Sequence, residues 1–267
     1  MLTQNATINR RSLGIVKSIS KLGIDVPQQV RAEVQIYEDA ERAHDAAQSD
    51  YDAAASGLRT AEADEFDTAR DGFIQAASDL LTFVQGAGTA LIDAAVHRLN
   101  AAIYDASPAW ESAIVDQFNA VVAQHELNEV AGNLPDLGDP RLINVLSFTR
   151  AQGDAVDRWK TASGQLRPLW EAYKRIATHH GHEIGPVNSN NVATNMFTAC
   201  ILGHPGTRRT LEAAAGRLSA MGSVPRPDSV QRYAEISPFV VPVLHGYELN
   251  LSALADAAAI RRRVQGL

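Results

Sequence analysis

A seven-residue repeat, in which large side chains alternate with alanine, runs through residues 30–61 and is the strongest constraint on the fold. Side chains at this spacing lie along one face of an α-helix and form the contact line between packed helices. Alanine at every second contact position allows a neighbouring helix to approach closely. The repeat predicts a seam that packs against another helix, formed by Tyr37, Ala40, His44, Ala47, Tyr51, Ala54 and Leu58.

The partner of this seam is left open by the sequence. The apolar pattern resumes out of step at Phe66, eight residues after Leu58, which indicates either a turn or a stutter in one continuous helix. Asp64 is a candidate N-cap, and this favours an antiparallel hairpin that turns near residues 60–65. A coiled coil between chains is the alternative.

The rest of the chain also has the spacing of helices. About one residue in six is alanine, which has the highest intrinsic helix propensity. Ser107-Pro108 is predicted to begin a helix that Gly132 ends, and a break is expected between Gly164 and Pro168. Shorter helices are expected at 189–202, 207–221, 228–236 and 248–264, while 238–244 is interpreted as irregular or helical because Pro242 disfavours a strand.

These patterns predict an all-α fold. A long alanine-rich antiparallel helical hairpin or coiled coil is followed by a more compact helical C-terminal half. The loop that begins at Asn133 contains two turn signals and is the best boundary. We therefore expect a basic N-terminal helix and a long helical arm or bundle in 1–132, and a compact helical domain in 133–267.

Charge is distributed unevenly along the chain. Residues 1–24 contain four basic side chains and no acid, whereas residues 25–81 contain 14 acidic and 4 basic ones. The first stretch predicts an amphipathic helix, with Leu13, Val16 and Ile19 on its apolar side, that either packs on the protein itself or makes peripheral contact with an anionic membrane or partner. The overall charge of −7 argues against nucleic acid as a partner.

Composition suggests the compartment. The single cysteine, Cys200, rules out an internal disulfide framework and favours a reducing environment. No run of 18 apolar residues occurs, so no transmembrane segment is expected. The chain is predicted to be cytoplasmic, or part of a particle assembled in the cytoplasm.

The candidate metal ligands are His180, His182, Cys200 and His204, which together could supply four zinc ligands. Against a zinc site, Cys200 lies in an apolar run that is typical of a core cysteine. Two other patterns are weaker. Glu41 and His44 have the spacing of half a di-iron site. The acids of residues 62–67 have the spacing of magnesium-binding carboxylate clusters, but a solvated turn at the start of a helix is the preferred interpretation.

No motif typical of catalysis is present, and no cofactor is predicted. The leading hypothesis is a non-enzymatic structural or interaction protein that binds itself or a protein partner through its long helices, for example as a component of a bacteriophage or prophage particle. The alternative is a helical-bundle enzyme or ligand-binding protein, with or without a metal. Its site would lie in the C-terminal half, lined by Trp159, Trp170, Tyr173, Met196 and Phe197.

Overall fold

The structure is a computed structural model that describes residues 2–135, 148–182, 236, 239, 240, 243 and 247–265. Helix accounts for 84% of the described residues and no strand occurs among them, which confirms the all-α prediction. The helices are α1 (Leu2–Lys21), α2 (Gln28–Thr60), α3 (Phe66–Gln85), α4 (Ala87–Gln124), α5 (Leu127–Val130), α6 (Arg150–His179) and α7 (Leu254–Gln265), with a 3-10 turn at Ala131–Asn133.

The chain forms two compact units. The first contains Met1–Ser20 and Asp25–Ala106, and the second contains Lys21–Ile24 and Ser107–Leu267. The proposed division into 1–132 and 133–267 stays a prediction, because residues 136–147 lie outside the described part of the chain.

In the first unit, α1 has a buried apolar side and is joined to α4 by a hydrogen bond. Ile15 and Ile19 are buried, and the Ser12 hydroxyl donates a hydrogen bond to Asn100 Oδ1 at 2.6 Å. Of the residues predicted to form this apolar side, Ile19 is buried, whereas Leu13 and Val16 are only half-buried. The helix ends at Lys21, and the chain then turns at Gly23, whose φ of +71° suits a residue without a side chain.

The α2–α3 pair is an antiparallel hairpin. The Tyr51 ring lies 5.4 Å from that of Phe73 near the turn, and the His44 ring lies 6.4 Å from that of Phe83 further along the pair. The turn lies between Thr60 and Phe66, as the sequence indicated. The predicted N-cap, however, is wrong by one residue. Glu65 precedes α3 and makes no side-chain capping bond, because the turn is closed instead by the backbone bond from Glu65 to Glu62.

The helix α4 corrects two predictions about where helices begin and end. It runs from Ala87 to Gln124 without a break at Ser107-Pro108. Pro108 is exposed, so the missing backbone bond lies on the solvent side while the buried apolar side continues on both sides of it. The helix ends before Gly132, at a turn where Glu126 takes the left-handed conformation with φ of +50°.

In the second unit, α6 is also longer and less interrupted than predicted. It begins with a capping box in which Thr149 and Gln152 bond to each other's backbone N–H groups. It continues through Gly164 and Pro168, which are both exposed, while the opposite side of the helix is buried. Continuous burial of that side outweighs the local helix-breaking signals.

The C-terminal helix was predicted to start too early. Residues 247–253 are not helical, and α7 begins at Leu254 rather than at residue 248. In the region 238–244, Phe239 lies in a turn while Val240 and Val243 are helical. The predicted helices 189–202 and 207–221 lie outside the described residues, as does 228–236 apart from Ile236.

Candidate interaction surface

The predicted seam on α2 faces inward. Tyr37 and Ala40 are buried, and the remaining members are half-buried: His44, Ala47, Tyr51, Ala54 and Leu58. The ring contacts described above bring the outer part of the seam against α3 of the same chain. A role of these residues in contacts between chains stays a prediction.

The base of the hairpin is fixed to α4 by a charged hydrogen bond. Arg98 Nη2 donates to Glu33 Oε1 at 2.8 Å, with the Glu33 side chain 11% exposed and that of Arg98 60% exposed. The bond to Glu33 raises the pKa of Arg98. Among the described residues Glu33 Oε2 is buried without a hydrogen-bond partner, and Arg98 is the cation that compensates the carboxylate charge. The contact holds the inner end of α2 in place.

A second apolar face lies on the outside of α3 and was not foreseen in the sequence. Four of its large side chains are exposed, with accessible fractions of 48% for Phe66, 56% for Ile74, 56% for Leu81 and 41% for Val84. At 100° per residue these four positions fall within one quarter of the helix circumference. We call them the α3 stripe. The sequence signal that could have revealed the stripe is the helical spacing of its apolar residues, seven from Ile74 to Leu81 and three from Leu81 to Val84.

The α3 stripe has charge at one end only. Arg70 projects from the same side of the helix and pairs with two acids of its own helix, at 2.8 Å from Asp67 and 3.0 Å from Asp71. The last turn of α3 contains neither an acid nor a base. Apolar surface of this kind, bordered by polar groups, is typical of a protein or membrane contact.

One helical stretch also meets the length and composition of a membrane span. It covers Phe66–Gln124, and 12% of its most apolar window is buried. Core helices and signal sequences pass the same test, so this single stretch is weak evidence for a membrane segment. The prediction that the chain has no transmembrane segment, and that α1 makes peripheral membrane contact, stays a prediction.

The predicted metal ligands are only partly described. His180 and His182 lie at the end of α6, whereas Cys200 and His204 lie outside the described residues. Burial, and then the neighbouring His179 and His182, lower the pKa of His180. Within the described part of the chain no group of three or more metal-ligating side chains occurs. The zinc site stays a prediction.

The two weaker patterns take part in hairpin contacts. The Tyr37 hydroxyl donates to Glu41, and His44 packs edge-on against Phe83. The acids of residues 62–67 are exposed in and beside the turn before α3.

The second unit holds an extended segment that sequence reasoning missed. Asn119 and Asn128 bind the backbones of Leu251 and Leu249, each through both atoms of its side-chain amide, at 2.8 to 3.3 Å. Glu111 accepts from the Leu254 N–H at 2.6 Å and so caps the start of α7. The partners are more than 120 residues apart in sequence, so no local pattern indicates them. This segment anchors α7.

Comparisons with protein-family models, with curated proteins and with solved structures find no match to this chain. The function must therefore be inferred from the surface of the molecule.

Proposed function

We propose that this chain is a non-enzymatic assembly protein in which the α2–α3 hairpin makes the protein contact. The observation that supports the proposal is the α3 stripe. Its large apolar side chains are exposed although the adjoining face of α3 already packs on α2. Burying them against a partner helix would remove this apolar surface from water. A bacteriophage or prophage particle is one setting in which such an arm would join subunits.

The internal packing of the hairpin supports an arm that keeps its shape. The α2 seam is filled by α3, and Glu33 and Arg98 attach α2 to α4. A preorganised arm binds without a large ordering cost. Several of its acids, which include Asp39, Asp45, Asp50 and Asp52, are exposed and keep the free arm soluble.

Site-specific photocrosslinking in cells tests this proposal. p-Benzoylphenylalanine is placed at Leu81 in the α3 stripe, with Gln75 as the matched control because it is exposed on the same helix but lies about 120° away. We expect protein adducts from position 81 and few from position 75. Equal adducts at both positions, or none at position 81, would contradict the proposal.

A ligand-binding role is the second candidate, supported by two polar atoms on the buried side of α6. Trp159 Nε1 and Ser163 Oγ lie one helical turn apart, and both are buried without a hydrogen-bond partner in the part of the chain that the structure describes. A small molecule with an acceptor group would satisfy them. Native mass spectrometry of the purified chain tests this role: a bound small molecule that Trp159→Phe removes would support it, and an unliganded mass would contradict it.

A further inference from the structure

We infer that the occupant of the α3 stripe is a second copy of this chain, with two α3 helices packed antiparallel about a two-fold axis. This inference rests on the proposed function and names the partner. The axis would pass between Ala77 and Ser78. The pair would be isologous, so that each copy supplies the same residues to the contact.

The central pair of the stripe, Ile74 and Leu81, is self-complementary in this arrangement, whereas Phe66 falls opposite residue 89, beyond the other copy's α3. Ile74 lies as far before the midpoint of Ala77 and Ser78 as Leu81 lies after it. An antiparallel pair therefore brings Ile74 of each copy against Leu81 of the other. The small side chain of Ala77 at the centre permits a close approach of the two helices. Val84 would then lie level with the other copy's Asp71 and one residue away from its Arg70, whose aliphatic part it can cover.

Charge favours antiparallel over parallel pairing. The acids beside the stripe, Asp67 and Asp71, both belong to the first two turns of α3. A parallel pair would set each acid beside its own counterpart. On the proposed antiparallel axis Asp71 lies level with Val84 of the other copy, and Asp67 lies level with residue 88, beyond the end of the other α3, so no acid faces an acid. Arg70 would then lie near the partially negative C-terminal end of that helix, which has no basic residue of its own.

The size of the contact predicts a moderate affinity. A helix of 20 residues is about 30 Å long. One face of such a helix offers less than the roughly 800 Å² per partner of a standard stable interface. We therefore expect a monomer–dimer equilibrium that shifts with protein concentration.

Cysteine crosslinking of the purified full chain tests the arrangement. Ala77→Cys places a thiol next to the proposed axis, and Gln75→Cys places one on the same helix away from the stripe. The parent chain, which contains Cys200 alone, serves as the blank. After mild oxidation we expect a 77–77 disulfide dimer, identified by peptide mass spectrometry, at least fivefold above the yield of Gln75→Cys.

A mixture of Ile74→Cys and Leu81→Cys chains distinguishes the two orientations. The antiparallel pair predicts mainly 74–81 disulfides, whereas mainly 74–74 disulfides would overturn it. A 77–77 yield no higher than that of Gln75→Cys would also overturn self-pairing. If photocrosslinks from position 81 to a different protein persist in that case, the proposed function stands and only the identity of the partner changes.

Flotation with phosphatidylglycerol vesicles tests a membrane as the occupant. We expect no flotation that depends on Leu81. Flotation of the parent chain that Leu81→Glu abolishes, with no 77–77 dimer in solution, would overturn the inference and assign the stripe to a lipid surface.

Discussion

At the scale of single residues, the side-chain amide of Asn119 acts on the chain as a neighbouring strand would. Its Oδ1 accepts from the Leu251 N–H at 2.9 Å, and its Nδ2 donates to the Leu251 carbonyl at 3.0 Å. Both backbone groups of one extended residue are satisfied by one side chain. Any change that turns the donor into an acceptor leaves two oxygens facing each other.

Asn119→Asp is therefore expected to lower the free energy of unfolding by about 1–3 kcal/mol at pH 7, the cost of an unmade bond at a partly buried site. The loss should shrink as the pH falls, because a protonated carboxyl can again donate to Leu251. Urea unfolding at several pH values measures this loss in the free energy of unfolding. Gln117→Glu, which adds the same charge at an exposed position of α4, is the control. Equal losses in both variants would refute the specific role of Asn119.

The stability of the protein should also depend on pH through Glu111. Burial raises the pKa of this half-buried carboxyl, the Leu254 N–H opposes the rise, and Asp256 adds to it. A raised pKa in the folded state means that the stability contributed by the group is fully present below its unfolded pKa. This contribution is lost as the pH rises through the folded value.

Glu111→Gln keeps an acceptor for the Leu254 N–H but removes the buried charge. Its stability relative to the parent chain should therefore increase as the pH is raised from 4 to 8. Denaturant unfolding across this range measures the difference, with Glu129→Gln on the exposed side of α5 as the control. A difference that stays flat with pH, or that falls, would show that the Glu111 charge does not oppose folding.

At the scale of elements, the α2–α3 hairpin was predictable because its signals are local and repeated. Seven-residue spacing fixes the buried side of α2, and the acid-rich stretch marks the turn. Local signals were misleading at Ser107-Pro108 and from Gly164 to Pro168, where helices continue because these prolines are on the exposed side. The contacts of Asn119 and Asn128 could not be predicted, since they join distant parts of the chain.

The α3 stripe was only partly predictable from the sequence. Its spacing is visible in the sequence, but the side of α3 that packs on α2 is also apolar. Periodicity cannot say which of two adjoining apolar faces a neighbour covers. The positions of the Phe73 and Phe83 rings against α2 resolve this.

The corner between α3 and α4 depends on a close approach at Gly88. A Cβ atom at this residue would lie 2.1 Å from the Phe83 ring and 2.7 Å from its Cα, so both ring and backbone would have to move. Phe83 also contacts His44, and its displacement would loosen the base of the hairpin.

Gly88→Ala is therefore expected to destabilise the protein by about 1–3 kcal/mol, as overpacking does. Gly72→Ala in α3 is the matched control. A Cβ there meets nothing within 4 Å, so it should instead stabilise the helix by about 0.5–1 kcal/mol. Thermal unfolding followed by circular dichroism measures both. The same sign of change in the two variants would contradict the close contact at Gly88.

At the scale of the whole molecule, the distribution of charge limits how copies can meet. The chain has a formal charge of −7, and residues 25–81 contain 14 acids and 4 bases. Two such arms repel each other over distances longer than any contact in the stripe. Association must therefore come from apolar burial at short range, working against repulsion at long range.

This balance predicts that salt strengthens self-association. The Debye length falls from about 10 Å at 0.1 M to about 3 Å at 1 M, which screens the repulsion between arms more than it weakens the apolar contact. We expect the association constant to rise roughly two- to tenfold when sodium chloride is raised from 0.05 to 0.5 M. Light scattering over a concentration series at each salt level measures the association constant.

Leu81→Glu should remain monomeric throughout, because it places a charge in the stripe. An association that weakens with salt would instead indicate attraction between opposite charges, as between the basic α1 of one copy and the acidic arm of another, and would exclude the apolar stripe as the main contact.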